Sequence, residues 1–162
     1  MSPNAPPKAS TTGATTASAI AATTAVTTAV TTKIADKAES AAIFSVSQKF
    51  SFDAAHTLQR DIEREGSLRV HGHSYYAEVT VSGARDPVNG MVLDLGLVRQ
   101  HIALLRPQLD HRLLDDVPGL GPATLENLCT FIWEALLPNL PGLSQVRVWR
   151  DSMGDGCTLG RV

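Results

Sequence analysis

At 162 residues and a formal net charge of −2, the chain can form one domain plus an extension, and no basic surplus marks a nucleic-acid or anionic-membrane partner. A hydrophobic content of 43% supports a core, yet no run reaches the ~20 apolar residues of a membrane span. Two cysteines, Cys129 and Cys157, make neither a disulfide framework nor a C-x-x-C, which points to a reducing, cytoplasmic setting.

Residues 1–41 are Ala/Thr-rich, contain no aromatic residue and carry three prolines among the first seven positions. Such a segment buries too little apolar area to offset the entropy of ordering it, so a disordered or loosely helical extension is expected. No compact Leu-rich stretch follows a basic start, which disfavours a secretory signal. A plastid-type transit peptide stays open as a minor alternative: the segment is hydroxylated and has no acidic residue before Asp36, but it also lacks Arg.

The expected folded part is 42–162. Residues 43–55 read as a strand, with Phe50 and Phe52 two apart, and residues 57–68 as a polar loop. A second strand runs from about Arg69 to Ser82 and stops at Gly83. Asn89-Gly90 marks a tight turn into a third short strand, Met91-Val92-Leu93. Asp94 caps a helix with Leu95, Val98, Ile102 and Leu105 at helical spacing, ended near Pro107. Leu109–Leu114 links it to a second helix, which starts at Thr124, carries Leu125, Leu128, Ile132 and Leu136 on one face, and ends before Pro138. Residues 145–151 and 156–162 read as the last two strands. Strands and helices grouped in this way indicate an α+β fold on an antiparallel sheet.

Three histidines stand out. Positions two apart in a strand share a face, so His71 and His73 project together, on the face of Tyr75, Ala77, Val79 and Val81. If the segment ending in His56 is the antiparallel neighbour, three imidazoles converge. Three neutral imidazoles with a fourth position open form the ligand set of a catalytic Zn2+ site. Taken alone, H-x-H is more often two surface histidines on a half-exposed strand.

Five blocks shift that balance: F-x-F-x-A-A-H (Phe50 to His56), H-G-H-S-Y (His71 to Tyr75), G-M-V-L-D (Gly90 to Asp94), L-D-H-R-L-L (Leu109 to Leu114) and A-T-L-E-N-L (Ala123 to Leu128). In this order they resemble the 6-pyruvoyltetrahydropterin synthase and 6-carboxytetrahydropterin synthase family over essentially all of 42–162. The resemblance implies a tunnelling (T-) fold, a four-stranded antiparallel sheet with two helices on one face. It also implies a homo-oligomeric barrel with active sites at subunit interfaces. The implied activity is that of a zinc-dependent lyase acting on a small molecule, a reduced pterin triphosphate derived from GTP, by side-chain elimination or by cleavage on the route to queuosine. His56, His71 and His73 are the implied metal ligands. Asp110-His111 is the implied acid/base pair, a carboxylate beside an imidazole. Thr124 and Glu126 match the family's T-x-E-N, where a cap role for Thr124 stands beside substrate contact.

Two positions depart from the family. Its catalytic cysteine falls at Ser67, whose hydroxyl is a poor base without an activating neighbour. Cys129, on the core face of the second helix, cannot substitute, and Cys157 reads as a structural thiol. The family's pterin-pairing glutamate falls at Arg150, which offers only donors; a one-residue shift would instead bring Asp151 there. These departures leave two alternatives to a pterin lyase: the same zinc scaffold with an anionic, non-pterin substrate, or a non-catalytic paralogue.

Overall fold

The computed structural model describes residues 42–160; the expected extension over 1–41 and the last two residues lie outside the described residues. Four strands, β1 (Phe44–His56), β2 (His71–Gly83), β3 (Leu143–Arg150) and β4 (Asp155–Gly160), form one antiparallel sheet in the order β1-β2-β3-β4. Alternation dictates its two faces. Phe52 and Ala54 of β1, Tyr75, Ala77, Val79 and Val81 of β2, and Val146 and Val148 of β3 are all buried.

Three helices complete the architecture: the short α1 (Arg64–Leu68), then α2 (Leu95–Leu105) and α3 (Leu125–Leu136). The latter two bury Val98, Ile102 and Leu105, and Leu128, Cys129, Ile132 and Leu136, in one core shared with the sheet's inner face. Each such aliphatic side chain contributes ~1.5–3 kcal/mol on burial. Both helices start where the sequence places them. Asp94 Oδ1 accepts from Gly96 N at 2.7 Å and Thr124 Oγ1 from Asn127 N at 3.2 Å, each satisfying an amide that the first helical turn leaves open.

Two local expectations are corrected. Residues 91–93 form no strand: Asp86 Oδ1 accepts from Val88 N and Asn89 N, Asp86 N donates to Met91 O, and the α2 cap follows directly at Asp94. A three-residue run between that closed turn and a helix cap has no room to pair. Within the expected loop at 57–68, residues 64–68 instead wind into α1.

Between α2 and α3, Leu109 and Leu114 are fully buried and pin the segment that joins them. It lies against the end of β1: His111 N donates to Asp53 O at 2.6 Å, Ala55 N donates to Arg112 O at 2.9 Å, and Leu113 forms a parallel bridge with Ala55. The strand that ends in His56 is therefore braced on both sides.

Candidate metal centre and active site

Register brings the histidines together. His71 stands directly opposite His56 and His73 opposite Ala54, so all three imidazoles emerge on the helix face at one end of the β1/β2 pair. Ring centroids are 4.5 Å apart for His56–His71, 4.9 Å for His71–His73 and 5.3 Å for His56–His73. One nitrogen from each lies within 4.8 Å of the others. His56 is buried, yet neither of its ring nitrogens has a hydrogen-bond partner, and His73 Nε2 is likewise buried and unpartnered. Orphaned buried polar atoms cost free energy, so unpartnered nitrogens on both His56 and His73 within one cluster fit a cation. His71 Nδ1 lies 2.8 Å from Arg69 O, and a carbonyl only accepts; the proton therefore sits on Nδ1 and leaves Nε2 as the free lone pair.

Electrostatics agree with a ligand role. Burial, then the neighbouring His71, His73 and Arg150 charges, push the His56 imidazole down to about 4. Burial followed by Arg150 also lowers His73. Both rings are neutral near pH 7, the form that binds a divalent metal. The donor set, three imidazoles with no fourth protein ligand among the described residues, fits zinc with an open position.

The other residues singled out in the sequence fall into two groups. Ser67 lines a cavity of about 370 Å3 together with His56, His71, His73, Glu63 and Arg150. Its hydroxyl donates to Glu63 O at 2.9 Å and to Arg64 O at 3.3 Å, the usual way a helical serine satisfies itself. Thr124 and Glu126 line an adjoining cavity of about 190 Å3 with His56, Tyr75, Arg150 and Asp155. Arg150 sits on the face of Val146 and Val148 and so borders both cavities, whereas Asp151 lies in the turn beyond β3 and accepts from Trp149 Nε1 at 2.9 Å. Asp151, the alternative under a shifted register, lines neither of these two cavities.

Asp110 and His111 line neither of the two cavities that hold Ser67, Thr124 and Glu126. His111 instead lines a cavity of about 550 Å3 along the end of β1 and β2 with Asp53, Gly72 and Ser74, and His73 borders it too. The Asp110 carboxylate does not orient His111. It accepts from Asp53 N at 3.0 Å and pairs with Arg106 Nη2 at 3.1 Å, and the Asp53 amide is the main reason it is held below the ordinary carboxylate range. The intervening backbone is turned by the left-handed conformation of His111, φ 57°.

The thiols play no part in either cavity. Cys129 is fully buried, its Sγ lies 3.5 Å from Cys157 O, and burial pushes its thiol up to about 12. Sequence reasoning missed Asp155. It stands opposite Arg150 across the β3–β4 turn and accepts from the guanidinium on both carboxylate oxygens, from Nε at 3.0 Å and from Nη2 in a shorter contact. The turn signal Gly154, at φ 69°, was the available clue to that register.

A profile of the 6-pyruvoyl tetrahydropterin synthase family matches residues 45–161. The chain belongs to this family. Human 6-pyruvoyl tetrahydrobiopterin synthase is 37% identical over 111 residues, covering 59% of this chain and 76% of the human protein. A Synechocystis 6-carboxy-5,6,7,8-tetrahydropterin synthase is 36% identical over 110 residues, 64% of this chain and 83% of that one. Among solved structures, Caenorhabditis elegans 6-pyruvoyl tetrahydropterin synthase superposes with a TM-score of 0.65 at 26% identity, covering 75% of this chain and 97% of its own. Membership of the family supports a pterin-processing lyase, and the four-stranded antiparallel sheet matches the family's structures. No helix among the described residues is long and apolar enough to cross a membrane.

Proposed function

We propose that the chain is a zinc-dependent lyase acting on a reduced pterin with an oxygenated side chain, of the dihydroneopterin triphosphate type. The observation that carries this reading is the convergence of His56, His71 and His73, with buried unpartnered nitrogens on His56 and His73, in the lining of the Ser67 cavity and beside that of Thr124 and Glu126. Zinc held by the three imidazoles supplies a Lewis acid with an open position for substrate oxygen. The remaining chemistry falls to side chains. Proton removal beside an activated oxygen needs a base within hydrogen-bond reach. Ser67 spends its proton on backbone carbonyls, which leaves its oxygen an acceptor able to orient a substrate hydroxyl but not to abstract from carbon.

Asp110-His111 is the better base, yet within its own chain it lines neither cavity beside the imidazole cluster. The reading therefore includes a homo-oligomer in which this segment of a second copy reaches the imidazole cavity, so that each active site is shared. The outer strands β4 and β1, the latter up to the segment that pairs with Asp53 and Ala55, suit such an assembly, since exposed strand edges favour pairing. The alternative of a non-pterin substrate recognised through a free Arg150 charge is disfavoured because that charge is already matched by Asp155.

The test is to measure metal content and turnover of dihydroneopterin triphosphate by the full-length protein, and by Ser67→Cys. Stoichiometric zinc with turnover in wild type, raised in Ser67→Cys, is expected. Zinc-loaded protein inert in both forms refutes the assignment.

A further inference from the structure

The Arg150–Asp155 pair has an asymmetry that bears on what the cavity recognises. The Arg150 side chain is 13% exposed and the Asp155 side chain 41%, so the guanidinium is the hidden member and the carboxylate the presented one. Arg150 Nε and Nη2 each donate to one oxygen of Asp155. A carboxylate has about four acceptor positions, so about two remain for a ligand. The backbone fixes this group in advance: Met153 N and Gly154 N both donate to Arg150 O, and the resulting turn sets Asp155 directly opposite Arg150. Arg150 itself lies over the Tyr75 ring, 5.9 Å from its centroid, which holds the guanidinium against the sheet.

The neighbouring charges point the same way. Asp155 shares its cavity with Glu126, and no ion pair to Glu126 occurs among the described residues. Arg60, the other cation there, lies 3.6 Å from Glu63. With both cations matched, the cavity's free polar groups are the carboxylate acceptors of Asp155 and Glu126. That set suits a ligand edge rich in N–H donors, since a carboxylate takes two parallel N–H bonds.

We infer that Asp155, held by Arg150, is the specificity-determining residue that receives the amidine-like N–H edge of the ligand ring, with Arg150 acting only as its positioning residue. The inference rests on the pterin reading proposed above and names the group that reads the ring.

Equilibrium fluorescence titration of the full-length, zinc-loaded protein tests it with two probes: neopterin, whose edge carries the 2-amino donor, and the 2,4-dioxo (lumazine) counterpart, which has a carbonyl there. Wild type should prefer neopterin by about tenfold or more, the size of a lost charge-assisted hydrogen bond. Asp155→Asn should cut that preference to within about threefold while zinc content stays unchanged. Arg150→Gln/Asp155→Asn, a neutral pair of similar shape, provides the same readout if the single variant folds poorly, and should also lose the preference. Inorganic phosphate should not displace neopterin from wild type. A preference that survives both variants, or displacement by phosphate, overturns the inference and leaves the pterin reading standing. Wild type that binds zinc but neither probe overturns both.

Discussion

Asp115 offers the sharpest test of how the histidine cluster is held. Its carboxylate accepts from Thr57 N at 2.8 Å and from Thr57 Oγ1 at 2.5 Å, which fastens the residue immediately after His56 to the 3-10 turn Leu114–Asp116. Hydrogen bonds to a charged acceptor contribute about 1.5–3 kcal/mol each. Because Asp115 is exposed, water replaces part of that, and Asp115→Ala should cost about 2 kcal/mol in total. For a domain of this size that is a drop in Tm of about 6–10 °C. The loss should depend on pH. Burial raises the Asp115 carboxyl, but the Thr57 hydroxyl and amide more than offset this and hold it below 3.8. A carboxyl depressed in the folded state stabilises above its unfolded value and loses that contribution as pH falls through its folded value. Thermal melts of metal-free wild type and Asp115→Ala should therefore differ fully at pH 7 and converge below pH 3.8. An unchanged Tm at pH 7, or a gap that persists in acid, refutes the clasp.

Three further outcomes follow from the same geometry. His73→Ala should lower bound zinc from one equivalent per chain to less than about a tenth, with far-ultraviolet dichroism unchanged, since two remaining imidazoles do not complete a three-ligand site; retained zinc would remove His73 from the ligand set. His111→Ala should bind zinc normally but lose turnover by about a hundredfold or more, the scale of general acid–base catalysis. Mixed and reassembled with His73→Ala, it should regain part of the activity if sites are shared between copies, and no regain would place the whole site in one chain. Metal-free wild type should lose stability as pH falls from about 6.5 towards about 4, because the folded His56 stays neutral while the unfolded histidine takes up a proton; a flat Tm over that window would contradict the burial of His56.

Much of this was legible because it depends on local rules. The alternation Tyr75, Ala77, Val79, Val81 fixes which face of β2 is buried, and the same period puts His71 and His73 on it. Full pairing of two 13-residue strands then places His56 beside them. Helix caps at Asp94 and Thr124 are likewise written in side chains that satisfy nearby amides. What escaped needed tertiary information. The spacing Leu109 to Leu114 shows two anchors but not that the chain between them pairs with the edge of β1, which keeps Asp110 and His111 out of the cavities beside Ser67 and Thr124. The partner of Arg150 depends on the turn that sets the β3–β4 register, for which Gly154 is the one local signal.

The two departures from the family differ in kind once the structure is considered. At Arg150 the changed charge is answered across the strand by Asp155, so an acceptor is still presented in the cavity of Thr124 and Glu126. At Ser67 nothing answers the change: the hydroxyl is turned to the Glu63 and Arg64 carbonyls, and both cysteines lie elsewhere in the fold. On the reading proposed above, ligand recognition is thus kept while the proton transfer assigned to position 67 is not. An enzyme altered in this way keeps its ground-state binding and loses transition-state stabilisation, which lowers kcat more than it raises KM. Restoring a thiol with Ser67→Cys should consequently act on kcat, and a change confined to KM would mean that position 67 contacts the ring rather than the moving proton.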